Sequence, residues 1–149
     1  MAWNIITTDD IKSRLAGAEL NALQTAALAD GQVDPTPEII AQAIDEVRGY
    51  VAAGGNTLGL DGTVPSKLKL TTLNIIRYRL CSRLPVASLL TESRIKEYDD
   101  AVRLLEQVAA KKFAVEEPTV AATEQAGASS PRFNNSKVLV YSPENQEGI

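Results

Sequence analysis

Val64-Pro65-Ser66-Lys67-Leu68-Lys69-Leu70-Thr71-Thr72-Leu73-Asn74-Ile75-Ile76-Arg77-Tyr78-Arg79-Leu80-Cys81-Ser82-Arg83-Leu84 is the stretch on which the reading of this chain turns. No acidic residue occurs between Asp61 and Glu92, whereas Lys67, Lys69, Arg77, Arg79 and Arg83 are set among leucines and isoleucines. Leu70, Leu73, Ile76, Leu80 and Leu84 recur at intervals of three and four, which places them on one face of an α-helix. The spacing predicts a helix that opens near Pro65 and stops before Pro85, since proline cannot donate the continuing hydrogen bond. Cys81 falls inside this pattern and reads as a small buried side chain rather than a reactive thiol.

Downstream, Thr91 caps what is expected to be the longest helix, with Leu90 and Ile95 as a hydrophobic staple. Ile95, Tyr98, Val102, Leu105 and Ala109 form its stripe, and it is expected to end near Phe113. Upstream, Thr36-Pro37-Glu38 combines an N-cap hydroxyl, a proline at the first helical position and an acid facing the positive helix end. Ile40, Ile44, Val47 and Val51 continue that helix until Gly54-Gly55 closes it. Near the start, Thr7 with Asp10 imitates a capping box and Ile6 is placed to staple onto Ile11. That short helix is expected to stop at Gly17, and a second to run from Ala18 to Leu28 before the Asp30-Gly31 turn.

Beyond Val115 the sequence turns to Glu, Pro, Thr, Ala, Gln, Gly and Ser, a composition that buries too little apolar area to offset its ordering entropy. Lys137-Val138-Leu139-Val140-Tyr141 then has high β-propensity between turn-forming residues, without an evident partner strand in the chain. The expected organisation is an all-α domain at 1–115, a small bundle of four to five helices with a long last one. A flexible linker at 116–136 and an extended C-terminal arm at 137–149 follow it.

Composition removes several functions. With 149 residues and 44% hydrophobic content, the chain has material for one ordinary globular core. No apolar run approaches the ~20 residues of a membrane span, and Met1-Ala2-Trp3-Asn4 lacks the basic opening of a secretion signal. The absence of histidine takes away the side chain best suited to acid–base catalysis near neutrality and the commonest metal ligand. The loop around Gly31 cannot be a calcium loop, because in that register positions one, three and twelve would be Ala26, Leu28 and Pro37. Gly54, Gly55, Gly59 and Gly62 lack the Lys-Ser/Thr and the preceding strand of a phosphate loop. Asp45-Glu46 and Asp99-Asp100 are adjacent, so their carboxylates diverge by about 100° on a helix, which is poor for paired-carboxylate chemistry. No enzyme activity, cofactor or metal is expected.

The basic helix invites a second reading, a small helical DNA-binding regulator using residues 65–84. Its cations do not line up for that task. Arg79 and Arg83 fall on one flank of the leucine face, Lys67 falls far away, and Arg77 lies close to the apolar stripe. Pairing of Arg77, Arg79 and Arg83 with acids such as Asp45, Glu46, Asp99 or Asp100, on neighbouring helices or a neighbouring subunit, is the preferred expectation.

Ile76-Arg77-Tyr78-Arg79-Leu80, entered through Val64-Pro65 and followed by Tyr98-Asp99-Asp100-Ala101-Val102-Arg103-Leu104-Leu105, resembles the small head-tail adaptor proteins of Mu-like phages and prophages. The resemblance covers roughly Ile5 to Val115 and includes Thr7-Thr8-Asp9-Asp10-Ile11 and the Asp-Gly loop before the Pro37 helix. It implies a structural virion protein that forms a homo-oligomeric ring, of roughly twelve copies by family analogy, beneath the portal protein. Such a ring completes the DNA-filled head and docks the tail or a tail-terminator protein, while packaged DNA passes through without specific binding. Expected locations are the head-tail interface of the virion and, during assembly, the host cytoplasm, with no membrane partner. Expected interface residues are Arg77, Arg79, Arg83, Asp99 and Asp100, joined by Val138, Leu139, Val140 and Tyr141 of the arm. Relatives tend to have shorter tails than the one that follows Val115 here.

Overall fold

The computed structural model describes residues 3–25, 31, 33–83 and 89–120. In chain order these form β1 (Trp3–Ile5), α1 (Thr8–Lys12), α2 (Gly17–Thr25), α3 (Thr36–Ala53), β2 (Thr63–Pro65), a 3-10 turn (Ser66–Leu68), α4 (Lys69–Ser82) and α5 (Glu92–Ala109). The fold is a small helical bundle, as expected, in which α4 packs against both α3 and α5. Segment 137–141 lies outside the described residues.

α4 occupies the middle of the bundle and is therefore buried on more than the single stripe that its leucines predict. Leu68, Leu73, Ile75, Ile76, Leu80 and Cys81 all enter the core, together with Thr72 and Arg77. Leu70, expected on the core face, is 53% exposed instead. It follows Lys69, whose ammonium lies 2.6 Å from the Asp10 carboxylate at the edge of the bundle. Thr72 is tolerated inside because its hydroxyl donates to the Leu68 carbonyl at 2.8 Å, which satisfies a buried polar group within the helix. α5 is likewise rotated from its expected face. Ala101, Leu105 and Val108 are buried, while Ile95 stands 40% exposed.

Helix ends show which local signals governed. The capping box at Thr7 is complete: the Asp10 N–H donates to Thr7 Oγ1 and the Thr7 N–H donates to the Asp10 carboxylate at 2.9 Å. Gly17 does not stop this helix but opens α2, because α1 already ends at Lys12. Thr36 does not cap α3 either. Pro35 holds the N-cap position and Asp34 accepts from the Thr36 N–H at 2.9 Å, the side-chain turn that aspartate forms two residues ahead.

The two-stranded sheet has no counterpart in the all-α expectation. Trp3, Asn4 and Ile5 pair antiparallel with Pro65, Val64 and Thr63. Three residues per strand are too few to show an alternating pattern, so the pairing is visible only once the chain is folded. Its role is to close the bundle at the start of α4. Trp3 packs flat over Gly59, where even a Cβ would come within 2.8 Å of the indole. The indole N–H donates to the Glu116 carbonyl at 2.9 Å, so the chain after α5 returns across the first strand.

Candidate functional site

The five predicted interface residues that the structure describes separate into two groups. Arg77 is buried between α4 and α5, where its guanidinium pairs with Glu97. Burial, with Arg94 and Arg14 nearby, pushes its pKa down, and Nε has no hydrogen-bond partner among the described residues. Arg79 pairs with Glu46 of α3. The expected pairing within the chain thus holds for both, with Glu46 among the acids named beforehand and Glu97 an acid that helix spacing did not single out. Two of the cations that a DNA groove would have used are committed to helix contacts.

Arg83, Asp99 and Asp100 form the second group. Arg83 takes the C-cap position of α4 and has no acid within ion-pair distance among the described residues. Its Nη1 is shielded from solvent and without a hydrogen-bond partner among the described residues, and the side chain lines a hollow of about 500 Å³ with Val33, Asp34, Pro35, Pro37 and Glu38 at the start of α3. Asp99 and Asp100 are exposed on α5, Asp100 lying 3.7 Å from Arg103. The stacked rings of Tyr78 and Tyr98, with centroids 4.0 Å apart, fasten α4 to α5 beneath them. Val138, Leu139, Val140 and Tyr141 lie outside the described residues.

Two arginines that sequence reasoning missed tie helices to loops and to each other. Arg48 of α3 donates to the carbonyls of Leu60 (2.8 Å), Thr63 (3.0 Å) and Gly59 (3.1 Å) and to the Asp61 carboxylate (3.2 Å). It also lies over the Trp3 ring at 5.8 Å. Arg94 of α5 grips both oxygens of Glu19 on α2, at 2.6 and 3.2 Å, and donates to the Leu89 carbonyl at 2.8 Å. The Glu19 hydrogen bond raises the Arg94 pKa. Cys81 sits 3.5 Å from the same guanidinium, yet burial still pushes its thiol pKa up, as befits a packing residue. The only advance signal for either arginine was a cation close to an apolar stripe.

Among the described residues, no group of three or more Cys, Asp or Glu is arranged to hold a metal ion, and no helix is long and apolar enough to cross a membrane. What the geometry defines is a small helical domain whose charged side chains join helix to helix and helix to loop. The profile of the family described as Bacteriophage Mu, Gp36 matches residues 6–132, and the chain belongs to that family. It is therefore a Mu-like phage protein, of the structural or assembly kind. No curated protein and no solved structure matches it.

Proposed function

We propose that this chain is a non-enzymatic head-tail connector subunit that assembles as a ring beneath the portal, completes the DNA-filled head and presents a docking face to the tail. The observation that carries the reading is the family match across residues 6–132, which spans every helix of the bundle. The charge layout supports it. Arg83 stands without an acid partner among the described residues, while Asp99 and Asp100 are exposed on another helix. In a closed ring each subunit offers two different patches to its two neighbours, and a cation on one patch with acids on the other would be complementary there. The C-terminal arm, in this reading, crosses a subunit boundary and adds Val138 to Tyr141 to an exposed edge of a portal, tail or sister subunit.

The test is made on particles. Mass spectrometry of purified virions should find the protein in stoichiometric amount, and its absence would sink the reading. Arg83→Glu should reduce the yield of tailed particles, with Asp100→Lys restoring part of the loss if the two groups meet across the ring. Circular dichroism of each variant separates failed assembly from failed folding.

A further inference from the structure

The seam between α3 and α5 carries an apolar groove that the described fold leaves unfilled. Gly54 lets the end of α3 approach the Val108 carbonyl so closely that any Cβ there would collide with it. One turn earlier, Gly49, Tyr50 and Ala53 face Ala109 across a hollow of about 330 Å³, with Glu46 at its N-terminal end. Nothing lies within 4 Å of where a side chain on Gly49 would begin. Among the described residues the walls hold no cation, and their one acid is already bonded to Arg79. Such a groove does not suit a polyanion. It suits a short apolar stretch entered from a basic residue.

We propose that the segment Lys137–Tyr141 of the same chain seats in this groove in the free protein. Three observations select that occupant. In an extended segment Val138 and Val140 point to one side about 6.6–6.8 Å apart, close to the ~6 Å that separates residues four apart along a helix, here Gly49 and Ala53. Lys137, immediately before the valines, then enters beside the exposed Asp45, which lies one helical turn before Gly49 on α3. The last described residue is Val120, and residues 121–136 span about 20–24 Å as a flexible chain, enough to return along a bundle of this size. Tethering makes the event intramolecular, so a modest contact suffices to hold it. The occupant also lies beyond residue 132, where the family match ends, whereas the groove lies within it. The inference concerns the free chain and stands or falls apart from the ring.

Hydrogen exchange on the full-length protein tests it. The amides of 138–140 should exchange at least about tenfold more slowly than an unstructured chain. Gly49→Leu, which fills the hollow from an exposed helix position, should return them to the unstructured rate. Val138→Asp with Val140→Asp leaves the helical domain untouched and should shift the methyl signals of Ala53 and Ala109. Unprotected amides in the unaltered protein, or methyl signals that ignore the arm variant, overturn the proposal. Protection that is lost on tenfold dilution places a second copy in the groove and overturns the intramolecular assignment.

Discussion

The two longest described helices, α3 and α5, leave the bundle in the same way with different residues. After α3, the Gly55 N–H donates to Ala52 and the Asn56 N–H to Val51; after α5, the Lys111 N–H donates to Val108 and the Lys112 N–H to Gln107. These are the paired bonds of one Schellman turn, made twice. The residue in the left-handed conformation is Gly55 in the first (φ 75°) and Lys111 in the second (φ 61°). Gly55 adopts it freely, whereas Lys111 carries the cost of a Cβ crowding its own carbonyl. The loops beyond differ too. The one after α3 is gathered by the Arg48 guanidinium, and the one after α5 is held by the Trp3 indole and by Lys67, whose N–H donates to the Glu116 carboxylate at 3.2 Å. A glycine-ended helix passes into a loop organised from within, and a lysine-ended helix into a strap held from outside.

The largest change should come from removing the organiser of the first exit. Arg48→Met takes a donor from three carbonyls in a largely buried site, of which that of Leu60 keeps the Thr63 N–H and hydroxyl, and we expect a loss of about 3 kcal/mol in urea unfolding, with Arg48→Lys recovering little of it. Gly54→Ala drives a methyl into the Val108 carbonyl and should cost about 2 kcal/mol by parting the two helices. Exchanging the caps comes next. Gly55→Ala should destabilise by about 1 kcal/mol and Lys111→Gly should stabilise by a similar amount, so the pair of melting shifts with opposite sign is the direct check on the shared turn. A change away from both exits sets the lower limit. Asp10 is held below the ordinary carboxylate range chiefly by its hydrogen bond to Lys69, so it contributes stability above the unfolded value of about 3.9 and loses it as pH falls through the depressed one. Asp10→Asn should therefore lower stability slightly at neutral pH and match the unaltered protein in strong acid, as followed by thermal melts across pH.

The same two exits mark what was legible before folding. Gly54-Gly55 announced the end of α3, because glycine is the residue that a left-handed cap prefers, and α3 does end there. Nothing announced the cap at Lys111, and the expected end near Phe113 overran the observed one at Ala109. Helix number and order followed from periodicity and capping, both local properties of the chain. Which face each helix buries did not, since Leu70 and Ile95 are apolar residues left outside by the placement of neighbours distant in sequence. For the candidate site, charge and helix assignment made it readable that Arg79 would pair with an acid such as Asp45, Glu46, Asp99 or Asp100, and Glu46 is the one it meets. The partnership of Arg94 with Glu19 joins residues far apart along the chain and had no local signature. Arg48 eluded the reading for the same reason, its acceptors being backbone carbonyls of whatever sequence.

The bond from the Trp3 indole to the Glu116 carbonyl also has a mechanical meaning. A tug on the chain beyond Glu116 meets that bond and the Lys67 contacts before it reaches any helix. Load then passes into β1 and, through its pairing with β2, into the start of α4, the most deeply embedded helix. The strap acts as a strain relief: its contacts to Trp3 and Lys67 must part before the end of α5 is pulled directly. The chain beyond Glu116 could be pulled repeatedly in this way without unravelling the domain that bears it.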